Sequence, residues 1–199
     1  MNALPGQRRP RGARIALCAV RAACYTFIMS RESPRAVVLI AAVLVLLCTG
    51  GRVAYGACAD APSAGVNWQR CLMDKRTFVE IDLRGAKLRG ASFGSADLSG
   101  SDLTGVDATK ASFIRTKLIG TLFDDAGLMD TDFTRADLTG ASLRNADLRL
   151  ARFYRAILRD VDLTGARVKG ADLLNADLTG AIWIDGEKRC GEGSIGLCN

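Results

Sequence analysis

The side chains best suited to chemistry in this chain are thiols, carboxylates and bases, because it contains no histidine. That absence removes the commonest general base and metal ligand. Four of the seven cysteines, Cys58, Cys71, Cys190 and Cys198, follow the hydrophobic leader. In an exported chain an even number of cysteines reads as disulfides, and four thiolates also raise the question of a zinc site. Asp124, Asp125, Asp130 and Asp132 crowd one stretch, where oxygen ligands for Ca²⁺ would be sought. Their spacing fits no ligand loop, so they read as a solvated face. Serines and threonines are many, but no base is arranged to activate one, and neither a Walker loop nor a Rossmann fingerprint occurs. No catalytic residue, cofactor or metal is expected.

What must position these groups is a repeat. From Phe78 to Trp183 every fifth residue is an apolar centre, for 22 consecutive positions without an insertion. A helix repeats near 3.6 residues and a strand at 2, so a period of five is neither. It marks a solenoid of short stacked units.

Each unit has a grammar. Two places before the centre the residue is small: fourteen of the 22 are Ala, and Ser101, Thr116, Thr121 and Thr131 are nearly as small. One large and one small side chain therefore point inward. Asp is common just before the centre, as at Asp82, Asp137 and Asp177. Gly is common two places after it, as at Gly85, Gly140 and Gly180. Glycine there permits φ > 0, which the third residue of a type II turn needs. The unit is a short extended piece followed by a corner. Phe93, Phe113, Phe133 and Phe153 recur every twenty residues, with Leu173 next. That spacing hints at a coil of four units and an aromatic column along one inner face. Arg115, Arg135 and Arg155 follow the same spacing outside, as a surface ladder. The pattern is weakest at Arg76, Ile81, Val106, Ala108 and Val161, where inward bulk changes.

Stretches such as Ala136-Asp137-Leu138-Thr139-Gly140 and Ala176-Asp177-Leu178-Thr179-Gly180 carry an A-D-L-x-x signature, in phase over more than half the chain. In this the sequence resembles the pentapeptide-repeat family. The resemblance implies the family fold, an all-β, right-handed quadrilateral β-helix with four pentapeptides per coil. Twenty-two units then make about five and a half coils, a rod roughly 25 Å long at the ~4.8 Å strand spacing.

A stack of coils has open edges at both ends, and these need caps. Residues 57–75 read as a Cys-containing N-terminal cap. In it Asn67 would cap a short helix over 67–75, with Trp68, Cys71 and Leu72 on one face. Residues 76–185 are the β-helix and 186–199 a Cys-containing C-terminal cap, with Ile182, Trp183 and Ile184 plugging the last coil. The two cysteine pairs then stand at opposite ends of the rod. A disulfide needs Cα atoms within about 7 Å, which favours Cys58–Cys71 and Cys190–Cys198 and argues against one shared zinc.

Residues 1–56 read as a leader. Ala36 to Cys48 is an uncharged, mostly aliphatic run, preceded by Arg31 and Arg35 and followed by small residues up to Ala57. This is the layout of a secretory signal peptide. The run is too short to span a bilayer, for which about 20 residues are needed. Cleavage is expected before Ala57 or, by a second small-residue exit, after Ala59. An uncleaved membrane anchor and a lipidated Cys58 are minor alternatives. Met29-Ser30-Arg31 begins a leader of ordinary length, so Met29 reads as the natural start.

The net charge of +6 divides unevenly. Residues 1–57 hold eight Arg and one Glu, whereas residues 76–185 hold fifteen Lys/Arg and sixteen Asp/Glu. A basic nucleic-acid-binding body is thereby disfavoured. Lys87, Arg89, Lys110, Arg149, Arg167 and Lys169 share one side with Asp107, Asp130 and Asp147, a mixed surface. The expected function is a non-enzymatic scaffold or protein-interaction module in the bacterial periplasm or outside the cell, its expected partner a protein, with no nucleic acid. The resemblance implies an alternative, since some family members imitate duplex DNA and act on topoisomerases. That role calls for a strongly acidic cytoplasmic rod, unlike this one.

Overall fold

A computed structural model describes residues 57–199, which fall within a compact unit spanning Ala54–Asn199. The expected leader, its Met29 start and the cleavage before Ala57 lie outside the described residues. Residues twenty apart pair in parallel, from Asn67 with Lys87 through to Asp162 with Ile182. Four five-residue units therefore close one coil, giving four sides. We name the sides by their Trp68, Phe93, Leu98 and Phe123 centres. Each side contributes one paired residue per coil, so the sheets are ladders of single bridges rather than extended strands.

The backbone hydrogen bonds follow a fixed scheme, seen around Leu138. The Leu138 N–H donates to Ile157 O of the next coil (2.8 Å), and Gly140 N–H donates to Arg159 O (2.8 Å). Asp137 N–H donates back to Thr116 O (3.0 Å), and Ala141 N–H closes the corner on Leu138 O (2.9 Å). Four of five amides per unit are thus paired by backbone, as buried polar groups require. Every corner from Gly65 to Gly180, twenty-four in all, has φ between 55° and 76° at the residue two after the centre. The residue before it does not, which defines a type II turn. Only ten of those corners are Gly; the other fourteen include Arg115, Arg135, Leu150 and Arg155.

Inside, large and small side chains alternate and fill the coil. The Phe93, Phe113, Phe133 and Phe153 rings form one column, stacked within 7° of parallel at centroid separations of 5.0–5.2 Å. Leu173 continues the column, half-buried near the end. Phe123 reaches across from the opposite side and meets Phe113 and Phe133 edge-on at 6.0 and 6.1 Å. The core is one side chain deep from each side, and its buried Leu, Phe and Ala form one continuous cluster. Where a Ser or Thr takes the small inward position, its hydroxyl donates to a carbonyl one coil back, as Thr116 does to Phe93 O at 2.7 Å. At Ile81 the bulk opens the corner, and Ser101 Oγ bridges it, donating to Phe78 O and accepting from Ile81 N–H.

The helix expected over 67–75 is absent. Those residues form two more five-residue units, with Trp68 and Met73 as buried centres and Val66 and Cys71 in the small positions. Leu72 points outward and is 74% exposed, so it shares no face with Trp68. Asn67 Oδ1 accepts Gln69 N–H within a corner instead of capping a helix. Pairing with the coil above satisfies these amides, Trp68 N–H with Lys87 O at 2.8 Å for example. An isolated helical turn would leave most of them unpaired. A single 3-10 turn at Ala57–Ala59 precedes them, and Asp60 O accepts the Trp68 indole N–H. The Cys58 and Cys71 Cα atoms lie 5.4 Å apart with their sulfurs at bonding distance.

At the other end the chain turns back antiparallel on two sides of the last coil, pairing Ile182 with Arg189 and Asp177 with Ile195. Leu178 N–H donates to Ser194 O and Gly180 N–H to Cys190 O. The Cys190 and Cys198 Cα atoms are 4.8 Å apart, again with sulfurs at bonding distance. Trp183 and Ile184 are only half-buried against the core, and Ile182 occupies an outward pairing position. The plug over the last coil is therefore the tail itself, centred on fully buried Ser194.

Candidate interaction surface

The outward residues of each unit are the one before the centre and the two after it. Their chemistry begins with the fifth amide, the one the coil leaves without a backbone partner. All ten Asp residues that precede a centre accept it. Asp137 Oδ1 takes the Thr139 N–H at 3.1 Å, and the same bond recurs at Asp82, Asp97, Asp102, Asp107, Asp132, Asp147, Asp162, Asp172 and Asp177, at 2.8–3.3 Å. Where Ser92 or Ser142 stands instead, an Asp one coil back substitutes. Asp74 accepts Gly94 N–H and the Ser92 hydroxyl, and Asp124 accepts Arg144 N–H and the Ser142 hydroxyl. This role of the Asp was missed in the sequence, although its fixed place in the five-residue frame carried the signal.

The same bonds set the electrostatics. The Arg84 guanidinium, aided by its backbone N–H, holds Asp82 down at about 2. The Ser99 hydroxyl lowers Asp97, and the Arg149 guanidinium lowers Asp147. Cations of neighbouring coils lie along the carboxylates as exposed pairs, such as Arg152 with Asp132 and Arg167 with Asp147, both at 3.7 Å.

The four clustered acids diverge. Asp124 and Asp125 lie on the Phe123 side, Asp130 at the Trp68-side corner and Asp132 on the Phe93 side. Among the described residues no three His, Cys, Asp or Glu side chains gather at metal-ligating range. Lys87, Arg89, Lys110, Arg149, Arg167 and Lys169 share the Trp68 side, where Asp147 pairs with both Arg149 and Arg167. Arg115, Arg135 and Arg155 stack on successive coils at one corner of the Phe93 side, exposed, with φ of 57–59°. No carboxylate among the described residues lies within 4 Å of any of them. The Arg155 guanidinium sits 5.2 Å from the Tyr154 ring centroid. Among the described residues no helix is long and apolar enough to cross a membrane.

A four-sided ladder with a filled interior, five residues per side and all its polar chemistry outside, defines a repeat scaffold. The chain belongs to the pentapeptide repeat family: eight copies of the pentapeptide-repeat model match, over residues 77–113, 86–125, 126–165 and 156–182. Family members adopt a right-handed quadrilateral β-helix and are generally structural or interaction proteins rather than enzymes. Among solved structures, the chain is similar to HetL, a pentapeptide repeat protein involved in heterocyst differentiation regulation in the cyanobacterium Nostoc sp. strain PCC 7120. The two are 24% identical, over 73% of this chain and 97% of that one, with a TM-score of 0.33. A pentapeptide repeat protein from the Arabidopsis thaliana thylakoid lumen is 23% identical over 67% of this chain and 77% of its own, with a TM-score of 0.41. QnrB1, a plasmid-mediated fluoroquinolone resistance protein, is 21% identical over 61% of this chain and 72% of its own, with a TM-score of 0.31. No curated protein sequence matches the chain.

Proposed function

We propose that the chain is a non-enzymatic binding scaffold, exported from a bacterial cell, that presents flat faces of fixed side chains to a partner protein. The filled interior carries this reading. Inward positions are occupied by buried Leu, Phe and Ala, so function falls to the exterior, where ladder spacing holds each side chain in place. With the Trp68 and Met73 units added to the expected twenty-two, the rod has about six coils. Its body carries fifteen bases against sixteen acids, which does not suit imitation of a polyanion. Export is supported by the hydrophobic leader and by cysteine pairs placed to form Cys58–Cys71 and Cys190–Cys198 disulfides, which persist in oxidising compartments. A Cys58 held by Cys71 is unavailable for lipidation, which favours release over anchoring.

Fractionation of the native host tests the localisation. The protein is expected outside the cytoplasm, shortened by its leader and without free thiols at these four cysteines. Uncleaved cytoplasmic protein with four titratable thiols would overturn the proposal.

A further inference from the structure

We infer that the two ends of the rod form one interface: the C-terminal end of one copy seats on the N-terminal end of the next, so that copies of this chain stack head to tail. The inference stands on the polarity of the coil and is independent of where the protein resides. Within the rod each side of a lower coil offers two N–H groups and one carbonyl to the coil above. Leu118 and Gly120 N–H donate to Asp137 O and Thr139 O, for example, while Thr116 O accepts Asp137 N–H. An upper edge therefore has a surplus of donors and a lower edge a surplus of acceptors. Both surpluses are open at the ends. On the Trp68 and Phe93 sides of the last coil, the Val168, Gly170, Leu173 and Asn175 N–H groups and the Ala166 and Ala171 carbonyls have no backbone partner among the described residues. On the Phe93 and Leu98 sides of the first coil, the same holds for the Leu72 and Thr77 N–H groups and the Leu72, Asp74, Thr77 and Val79 carbonyls.

That polarity selects the occupant. Two C-terminal ends would set donors against donors, and two N-terminal ends acceptors against acceptors. An extended peptide carries N–H and C=O groups in equal number and runs straight past a corner that the coil turns every five residues. Another copy's N-terminal end has both the complementary surplus and the corners. The apolar side chains mark the same two places. Of the five most exposed large ones among the described residues, Leu72 lies in the first coil, Leu174 in the last, and Ile195 and Leu197 in the tail laid over it. Val168 and Leu173 are half-buried, whereas the centres of the inner coils are fully enclosed. Unpaired backbone beside exposed apolar side chains is a surface suited to pairing with another chain. Both ends are stepped. The tail adds a layer over the Leu98 and Phe123 sides, and the Ser63–Gly65 corner adds one beneath the Phe123 side, where Gly65 N–H donates to Arg84 O. Successive copies are therefore turned about the rod axis, so that a raised side meets a low one. Such a contact is heterologous and does not close, which gives open chains of rods. It spans one coil's cross-section, at the small end of specific interfaces, so association depends on concentration.

The test is sedimentation and small-angle scattering of the native protein between about 10 μM and 1 mM. Mass should rise past two copies, in particles that lengthen at constant cross-section. Leu72→Lys/Val79→Lys changes the N-terminal end alone, and Leu174→Lys/Leu197→Lys the C-terminal end alone. Each places unpaired cations in the junction and is expected to weaken self-association at least about tenfold, with melting unchanged. Each variant also keeps one intact end, so an equimolar mixture of the two should form one-to-one pairs and nothing longer. A wild-type protein that is monomeric at about 1 mM, or that stops at a dimer, would overturn the inference. Association left intact in the N-terminal variant would overturn it too, because C-terminal ends would then be joining each other, and so would a mixture that stays monomeric. Amide exchange supplies an independent readout. The Leu173 and Asn175 amides, open in dilute protein, should gain protection as concentration rises, and protection that does not change would count against stacking.

Discussion

At the residue scale, the Asp before each centre is a backbone cap. It accepts the one amide per unit that the coil does not use, at no cost in geometry because the corner brings that N–H within reach. Asp137→Ala should therefore lower stability by about 1 kcal/mol, whereas Asp137→Asn, which keeps an Oδ1, should lose less; chemical denaturation of the two variants reads the difference. The bond also makes stability depend on pH. Asp82 titrates at about 2 when folded against an ordinary 3.8, and Asp97 and Asp147 are shifted the same way. A depressed folded pKa stabilises above the unfolded value and loses that contribution as pH falls through the folded one. Melting temperature should thus fall between pH 3.8 and about 2, and Asp82→Asn should flatten that slope. The frequency of this Asp was legible in the sequence. Its purpose was not, because it depends on which amides the next coil leaves unpaired. The corners tell a similar story. Glycine marked the left-handed position, yet fourteen corners hold larger residues in the same conformation. The coil ladder, not the glycine, imposes the turn.

At the scale of the element, the five-residue period predicted the centres, whereas the twenty-residue coil was hinted at by the Phe spacing and implied by the family resemblance, and the parallel pairs twenty residues apart bear it out. The N-terminal boundary was misread. Asn67 and the Trp68–Leu72 stretch look like a capped helix in isolation, but the same residues continue the five-residue frame upstream, and pairing with the next coil outweighs local preference. The Phe column shows how much the frame controls. Phe133 is stacked between Phe113 and Phe153 and touched edge-on by Phe123. Phe133→Asp should unfold the rod, since a buried charge there has no partner, while Thr134→Asp, one residue on and only half-buried, should leave it folded. Thermal melts of the pair check the inward assignment. The caps make a second contrast. The tail pairs Leu178 and Gly180, but the Val168, Gly170, Leu173 and Asn175 amides on the other two sides have no backbone partner among the described residues. Amide exchange should be fast at these four and slow at Leu178 and Gly180. Equal protection across all six would mean that something else covers that edge.

At the scale of the whole molecule, composition misleads until it is divided. The net +6 comes from the arginines of residues 1–57, and what remains after residue 57 is close to neutral. The described body then carries two cysteine pairs, each closing a short loop of 13 or 8 residues at one end of the coil stack. As disulfides each would restrict the unfolded chain and stabilise the ends by about 2–3 kcal/mol, where an open solenoid frays first. Such bonds serve a protein that leaves the reducing cytoplasm. Start site, cleavage and oxidation are thus one linked prediction rather than three. N-terminal sequencing with intact mass of the native protein should find a chain beginning at Ala57, four hydrogens lighter than its reduced composition. Met29→Leu should abolish its production, since residues 1–28 would not supply the start. Undiminished product from Met29→Leu would move the start upstream and make the arginine-rich segment part of the leader. A mass matching the fully reduced chain would remove the staples, and the rod would then have to hold its ends by the tail and the Trp68 unit alone.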